Sequence, residues 1–200
     1  MKRLLLTAFL MIGFASAPAG AIMLTFDPAS PIDTSGGGPI DVAVGITGLE
    51  SDGFDEIVAA FDIDVLYDSS LLDPTSVAFG DPLLGDMLDD LFFPGFFSLY
   101  SDDTSTAGVW NLAGLSFLSD ADLAFQQGDS FVLAVLTFDV LNEGFAALDF
   151  GLDLALGKDV KGRNNDPILP VSEVPEPGTL LLMGAGMLLL GLRRRLGLAV

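Results

Sequence analysis

An all-β fold is predicted for this chain, in the form of an antiparallel sandwich of two sheets with little helix. Several short segments alternate apolar and polar residues with the period of two that a half-buried strand requires. Turn signals rich in glycine, proline, aspartate and serine separate these segments, as at residues 35–39, 80–82 and 142–144. No repeat of about 20–50 residues is visible, so a solenoid or a propeller is not expected.

Four segments carry the strand prediction. Residues 41–47 and 61–67 alternate most regularly, and residues 144–156 alternate again near the end of the body. Residues 130–140 form a longer apolar segment rich in β-branched and aromatic residues, which predicts a central strand. The apolar positions that fall in phase within the alternating segments are Val42, Val44, Ile46, Phe61, Ile63, Val65, Tyr67, Leu148, Phe150, Leu152 and Leu154.

These strands fall within residues 22–171, which are predicted to form a single domain. Helix is expected only at residues 83–91 and 119–126, for a turn or two each. Residues 1–21 and 172–200 have a different composition and are treated as separate segments.

The charge of the body is strongly negative. Residues 22–175 contain 27 acidic and 3 basic residues, a formal charge of −24, and no basic residue occurs between Ile22 and Gly157. Such a body repels phosphate backbones, so nucleic acid is not expected as a partner. It also lacks the basic clusters that hold proteins on anionic lipid surfaces.

The chain contains no cysteine and no histidine. Disulfides, thiolate nucleophiles, catalytic triads and the usual zinc sites are therefore excluded. A glycosidase that uses two carboxylic acids stays open as a less favoured alternative, because acids are abundant. The acids mostly occupy the solvent-facing positions of strands, so the protein is predicted not to be an enzyme.

The N-terminus, MKRLLLTAFLMIGFASAPAGA, has the form of a secretory signal peptide. Lys2 and Arg3 supply the positive charge, and an apolar segment and small residues follow. Ala19 and Ala21 match the A-x-A cleavage pattern, so cleavage is expected after Ala21. An uncleaved N-terminal anchor is the alternative.

The C-terminus contains a second apolar segment, residues 178–192, followed by Arg193, Arg194 and Arg195. Fifteen helical residues extend about 22 Å, which is marginal for a hydrocarbon core of about 30 Å. By the positive-inside rule the arginines would stay in the cytoplasm and leave the acidic body outside. The segment is predicted to be a transmembrane helix.

The motif Val174-Pro175-Glu176-Pro177 with Gly178-Thr179, the apolar segment and the three arginines together resemble the PEP-CTERM tail of Gram-negative bacteria. The resemblance implies that an exosortase, a membrane protease-transpeptidase, recognises and cleaves the motif. The two prolines fix φ and prevent helix formation, which keeps the chain extended for a protease cleft. A linker with a simple membrane anchor is the alternative interpretation.

Residues 60–80, AFDIDVLYDSSLLDPTSVAFG, are similar to the strand, aspartate turn and strand of cohesin domains, with Ser69 where that family usually has proline. Gly128-Asp129 and the later LTFDV, residues 136–140, resemble a following strand of the same family. The resemblance implies a cohesin-like sandwich, related to the jelly rolls of carbohydrate-binding modules. It also implies a polysaccharide or a surface protein as a partner.

Two groups of residues are candidate ligand sites. Asp52, Asp55 and Glu56 offer the oxygen ligands that calcium prefers, although they lack the spacing of an EF-hand loop, and solvated surface is the alternative. Calcium is the only candidate cofactor. Phe92, Phe93 and Trp110 are candidates for stacking on sugars or docking a partner, with a place in the core as the alternative. Phe92 and Phe93 are the pair expected to be exposed.

Together these observations predict a non-enzymatic protein that is exported across the inner membrane and anchored there as a precursor. Exosortase processing would then deliver it to the cell surface or the extracellular matrix. The PEP-CTERM resemblance implies a setting of exopolysaccharide and biofilm. The alternative function is a carbohydrate- or protein-binding module.

Overall fold

The computed structural model describes residues 22–50, 56–168 and 171–172. The predicted signal peptide, the motif at residues 174–177, the predicted transmembrane segment at residues 178–192 and Arg193–Arg195 lie outside the described residues. Within the described ranges, no helix has the length and apolar character needed to cross a bilayer.

The described strands form two larger sheets and one small one. The first sheet has the order β12(Val171–Ser172), β1(Met23–Asp27), β3(Pro39–Thr47), β8(Ser130–Val140), β5(Leu72–Phe79). The second sheet has the order β10(Leu148–Gly151), β4(Ala60–Tyr67), β7(Val109–Ser116), β6(Ser98–Asp103), and β11(Val160–Lys161) also pairs with β4. The small sheet pairs β2(Ile32–Asp33) with β9(Phe145–Ala146). The helical elements are α1(Asp120–Gln126) and a short 3-10 turn at Arg163–Asn165.

The predicted antiparallel sandwich is confirmed, with one parallel pairing at its margin. β12 runs parallel to β1, with Met23 opposite Val171 and Leu24 opposite Ser172. The other pairings between the described strands of the two larger sheets are antiparallel.

The alternating pattern of β4 determines which side chains enter the core. Phe61, Ile63 and Val65 are buried, whereas Asp62 and Asp64 lie on the outer face of the second sheet. Because strand side chains alternate with a period of two, a register slip of one residue would bury both aspartates. The predicted strands at residues 41–47 and 130–140 are likewise confirmed as β3 and β8.

Aromatic side chains from the two sheets meet in the core. Phe138 of the first sheet contacts the ring of Trp110 edge-on, with centroids 5.3 Å apart, and the ring of Tyr67 at 5.4 Å. Phe79 of the first sheet stacks on Tyr100 of the second at 4.3 Å. Such pairs each contribute about 0.5–1.5 kcal/mol beyond the burial of their area.

One predicted helix is confirmed and the other is wrong. α1 begins after Ser119, whose hydroxyl accepts a hydrogen bond from the backbone N–H of Asp122, as expected of an N-cap. Residues 83–91 form turns instead. Gly85 has a φ of +92°, and the backbone N–H groups of Asp81 and Gly85 each donate to the carbonyl of the other, which closes a tight turn where a helix would have continued.

The predicted strand at residues 144–156 is too long. β9 ends at Ala146 and β10 ends at Gly151. Residues 153–158 form a turn in which the Asp153 N–H donates to the carbonyl of Lys158. Leu154 is therefore 53% exposed and is not a core residue. The prediction that Leu154 continues the apolar face of Leu148 and Phe150 is wrong.

β12 and the loop that follows β5 lie at opposite edges of the first sheet. β12 pairs with Met23 and Leu24 at the start of β1, and Leu24 lies opposite Ile46. β5 ends at Phe79, opposite Ala134, and runs toward the end of the sandwich at which β8 begins. The loop that follows β5 therefore emerges at that end, from the edge of the sheet that is farthest from β12.

We predict that Phe138→Ala lowers the free energy of unfolding by about 3–5 kcal/mol, because the cavity also removes the contacts with Trp110 and Tyr67. Urea denaturation of both proteins measures the difference. Phe145 is 71% exposed, so Phe145→Ala is the matched control and should change stability by no more than about 0.5 kcal/mol. Equal losses in the two variants would contradict this assignment of the core.

Candidate binding surface at one end of the sandwich

Six large apolar side chains are exposed at the end of the sandwich where β5 finishes. They lie in the loop between β5 and β6, residues 80–97, and on α1. Their exposed fractions range from 66% to 93%. We call this surface the apolar end, and its residues are Leu83, Leu84, Phe92, Phe93, Phe96 and Phe125.

Asp89 holds the aromatic part of the loop from inside. It is 3% exposed, and its carboxylate accepts hydrogen bonds from the backbone N–H groups of Asp90 at 2.9 Å, Phe97 at 2.8 Å and Gly95. Burial by itself raises the pKa of Asp89, but these backbone N–H groups stabilise the carboxylate more strongly and lower the pKa below 3.8. One buried charge thus fixes both sides of the Pro94-Gly95 turn.

Two further aspartates each support a pair of exposed apolar residues. The Asp81 carboxylate accepts from the N–H groups of Leu83 at 2.7 Å and Leu84 at 2.8 Å. The Asp90 carboxylate accepts from the N–H groups of Phe92 at 2.7 Å and Phe93 at 3.1 Å. An aspartate followed two and three residues later by large apolar residues is therefore the local pattern that builds the apolar end.

The loop is also tied to the sandwich by Asp86 and Tyr100. The Tyr100 hydroxyl donates to one carboxylate oxygen of Asp86, and the other accepts from the N–H of Leu88 at 2.9 Å. Burial and the neighbouring Asp86 carboxylate raise the pKa of Tyr100, so its hydroxyl stays protonated as the donor.

Two glutamines connect α1 to the same loop. Gln126 donates through Nε2 to the carbonyls of Met87 at 2.8 Å and Asp89 at 2.9 Å. The buried Gln127 exchanges hydrogen bonds with the backbone of Val58, at 2.8 and 2.9 Å, and donates to Met87 at 3.0 Å. These bonds place the helix that carries Phe125 beside the aromatic loop.

The structure separates the three aromatic residues singled out from the sequence. Phe92 and Phe93 are 84% and 66% exposed, which confirms that this pair is exposed, while a role in ligand binding stays a prediction. Trp110 is 1% exposed, and its indole N–H donates to Asp102 at 3.1 Å. Trp110 thus has the place in the core that the sequence left open as its alternative, with its ring against Phe138.

The candidate calcium residues are only partly described. Asp52 and Asp55 lie outside the described residues, and the Glu56 carboxylate accepts from the N–H groups of Ile57 and Arg163 at 3.3 Å each. In residues 22–50, 56–168 and 171–172, no group of three or more acidic side chains is arranged to hold a metal ion.

Two aspartates on the outer face of the second sheet form an ion network. The Lys158 ammonium lies 3.1 Å from Asp62 and 3.0 Å from Asp64, and the Asn111 amide donates to the same two carboxylates at 2.7 and 2.8 Å. Burial works to lower the pKa of Lys158, but its hydrogen bonds with Asp64 and Asp62 outweigh that effect and raise the pKa. Both carboxylates are therefore engaged with the same cation and the same amide.

The C-terminal segment matches a known sorting signal. Residues 173–195 fit the family model of the PEP-CTERM protein-sorting motif. No curated protein matches the chain significantly.

The sandwich is similar to solved cohesin domains. The sixth cohesin of scaffoldin B from Acetivibrio cellulolyticus has a TM-score of 0.52 at 15% identity, covering 76% of this chain and 94% of that chain. A type II cohesin from the cellulosome of the same organism has a TM-score of 0.51 at 17% identity, covering 78% and 93%. A type I cohesin–dockerin complex from Clostridium thermocellum has a chain with a TM-score of 0.53 at 14% identity, covering 80% and 93%.

We predict that Asp89→Ala lowers the free energy of unfolding by about 1–3 kcal/mol, because three backbone N–H groups lose their acceptor. Asp73→Ala, on the exposed face opposite Asp139, is the matched control and should not destabilise the protein. Because folding lowers the pKa of Asp89, its contribution is complete above the unfolded-state pKa of about 3.9 and disappears as the pH falls through the folded-state value.

Urea denaturation from about pH 5 to about pH 2 tests this sign. The wild type should lose more stability over that range than Asp89→Asn. Parallel pH profiles for the two proteins would contradict the role of the Asp89 carboxylate.

The match of residues 173–195 and the fold of the preceding strands can be stated together. The chain carries a PEP-CTERM protein-sorting motif behind an antiparallel β-sandwich of cohesin-like fold.

Proposed function

We propose that the protein is the precursor of an exported surface or extracellular-matrix protein and that an exosortase-type membrane protease trims it at residues 174–177. The observation that carries this proposal is the match of residues 173–195 to the sorting motif. The secretory signal predicted at residues 1–21 supports it, because a periplasmic or external body needs an export signal.

In this proposal the C-terminal segment is a substrate and a transient membrane anchor. Pro175 and Pro177 keep the chain extended around Glu176, in the form that a protease cleft binds. Arg193–Arg195 hold the end of the apolar segment on the cytoplasmic side. Cleavage then frees the sandwich from the membrane or transfers it to another carrier.

We propose that the sandwich itself is a non-enzymatic binding module. Its cohesin-like fold supports this function, and the ion network around Lys158 argues against carboxylate catalysis at Asp62 and Asp64. The partner would be a polysaccharide or a surface protein, in an exopolysaccharide or biofilm setting. Phe92 and Phe93 are the proposed contact residues, because they are exposed on an anchored loop.

Replacement of Pro175, Glu176 and Pro177 by alanine should block trimming, because the protease loses both the extended backbone and the motif that it recognises. The full-length precursor is then expected to accumulate in the membrane fraction. Intact-mass analysis and fractionation of the protein in its native host measure this outcome.

Phe145→Ser is the control for that experiment, since it changes an exposed residue outside the motif and should be trimmed normally. Normal trimming of the triple-alanine variant would reject the proposal. A secreted wild-type product that still contains Arg193–Val200 would reject it as well.

We propose further that any calcium binding is confined to Asp52, Asp55 and Glu56. In the part of the chain that the structure describes, no group of three or more acidic side chains is arranged to hold a metal ion, which supports the choice of a site that includes Asp52 and Asp55. Calorimetry with calcium should show binding that Asp52→Asn with Asp55→Asn removes, and a melting temperature raised by bound ligand. The absence of both heat and a rise in melting temperature for the wild type would reject this site.

A further inference from the structure

We propose that the apolar end docks a protein partner whose contact surface has an apolar centre and a rim of lysine and arginine. The inference rests on the proposed function as a binding module and specifies the surface and the partner's chemistry. The exposed area, the anchoring of the loop and the surrounding charge support it independently of one another.

The exposed area is that of an interface. An aromatic side chain offers about 150–250 Å² of surface, so the four phenylalanines of the apolar end expose roughly 500–800 Å² at their observed fractions. The largest apolar patch on a typical monomer is about 300–600 Å². A stable interface buries about 800 Å² on each partner. The exposed surfaces of Leu83 and Leu84 add to that of the phenylalanines and bring the total close to this value.

The loop is held in one conformation before any partner arrives. Asp81, Asp89 and Asp90 accept hydrogen bonds from the backbone on both sides of the exposed residues, and Gln126 fixes the carbonyls of Met87 and Asp89. Binding therefore costs little backbone entropy, and exposed rings on a fixed backbone are the usual form of an interface hot spot.

The charge around the apolar end selects the partner. Asp81, Asp86 and Asp90 lie partly exposed in the same loop, and the sequence has no lysine or arginine from residue 22 to residue 157. Two copies of this chain joined at the apolar end would bring these like charges together, which disfavours a homodimer. The lysines and arginines on the rim of a basic partner would instead be attracted to these carboxylates.

The side chains also disfavour a polysaccharide at this surface. A sugar site combines rings with polar groups that are free to bind hydroxyls. The six residues of the apolar end are leucine and phenylalanine only, and their side chains offer no hydrogen-bonding group to a sugar hydroxyl. A polypeptide with its own apolar centre matches this composition better.

The test measures binding of a synthetic Leu/Lys peptide of about 18 residues, which forms an amphipathic helix with a basic polar face. The protein is purified from its native host and titrated by fluorescence anisotropy. Two comparison peptides carry glutamate in place of lysine, or the same composition in an order that spreads leucine around the helix. The variant is Phe92→Ser with Phe93→Ser and Phe96→Ser, and Phe145→Ser is the matched control.

We expect saturable binding of the Leu/Lys peptide that the triple variant weakens at least about tenfold and Phe145→Ser leaves unchanged. The glutamate peptide and the redistributed peptide should bind at least about tenfold more weakly. Added salt should lower the affinity of the Leu/Lys peptide, because the basic rim is attracted to the aspartates.

Three results would overturn the proposal. Equal binding of the Leu/Lys peptide to the wild type and to the triple variant would show that the peptide is held only by the negative charge of the body. Sedimentation showing a dimer that the triple variant dissolves would identify a second copy as the occupant, and saturable binding of a glucan oligosaccharide lost in the triple variant would identify a sugar. Unfolding curves of the variants show whether each variant is still folded. The intact mass of the same sample shows whether residues 173–195 have been removed, so failure of the trimming proposal is recorded separately from failure of this one.

Discussion

The contact of Phe138 with Trp110 and Tyr67 joins the two sheets, and the rest of the molecule depends on it. Each sheet alone would expose an apolar face to water, and neither is stable in that form. The alternation along β4 and β8 delivers these rings to the interior while it sends Asp62, Asp64 and Asp139 outward. The strong negative charge of the body is thereby kept at the surface, where water and salt screen it.

The sandwich gives the loop between β5 and β6 a fixed base. Tyr100 belongs to the second sheet and stacks on Phe79 of the first, so its hydrogen bond to Asp86 ties the loop to both layers. Gln127 adds a second tie through the backbone of Val58. The exposed apolar side chains of this loop gain no stability from burial, so hydrogen bonds from polar side chains beneath it hold its conformation.

The sequence allows the strands to be predicted well, because the period of two in residues 41–47 and 61–67 is a local property. It predicts the loop poorly. Leu84, Leu88 and Leu91 have the spacing of a helix, yet Gly85 adopts a positive φ and Asp81 binds the N–H groups of Leu83 and Leu84. For Trp110 the sequence left both the core and a ligand site open, because its burial depends on Phe138 from a distant strand. The repeated pattern of an aspartate followed by two apolar residues was the available signal for the apolar end.

The parallel pairing of β12 with β1 brings Ser172 beside Leu24, near the first described residue. A mature body cut on both sides would consequently have its two extremities side by side. Attachment to another macromolecule through either terminus would therefore hold the sandwich in nearly the same orientation. Its orientation would then be insensitive to which extremity is attached.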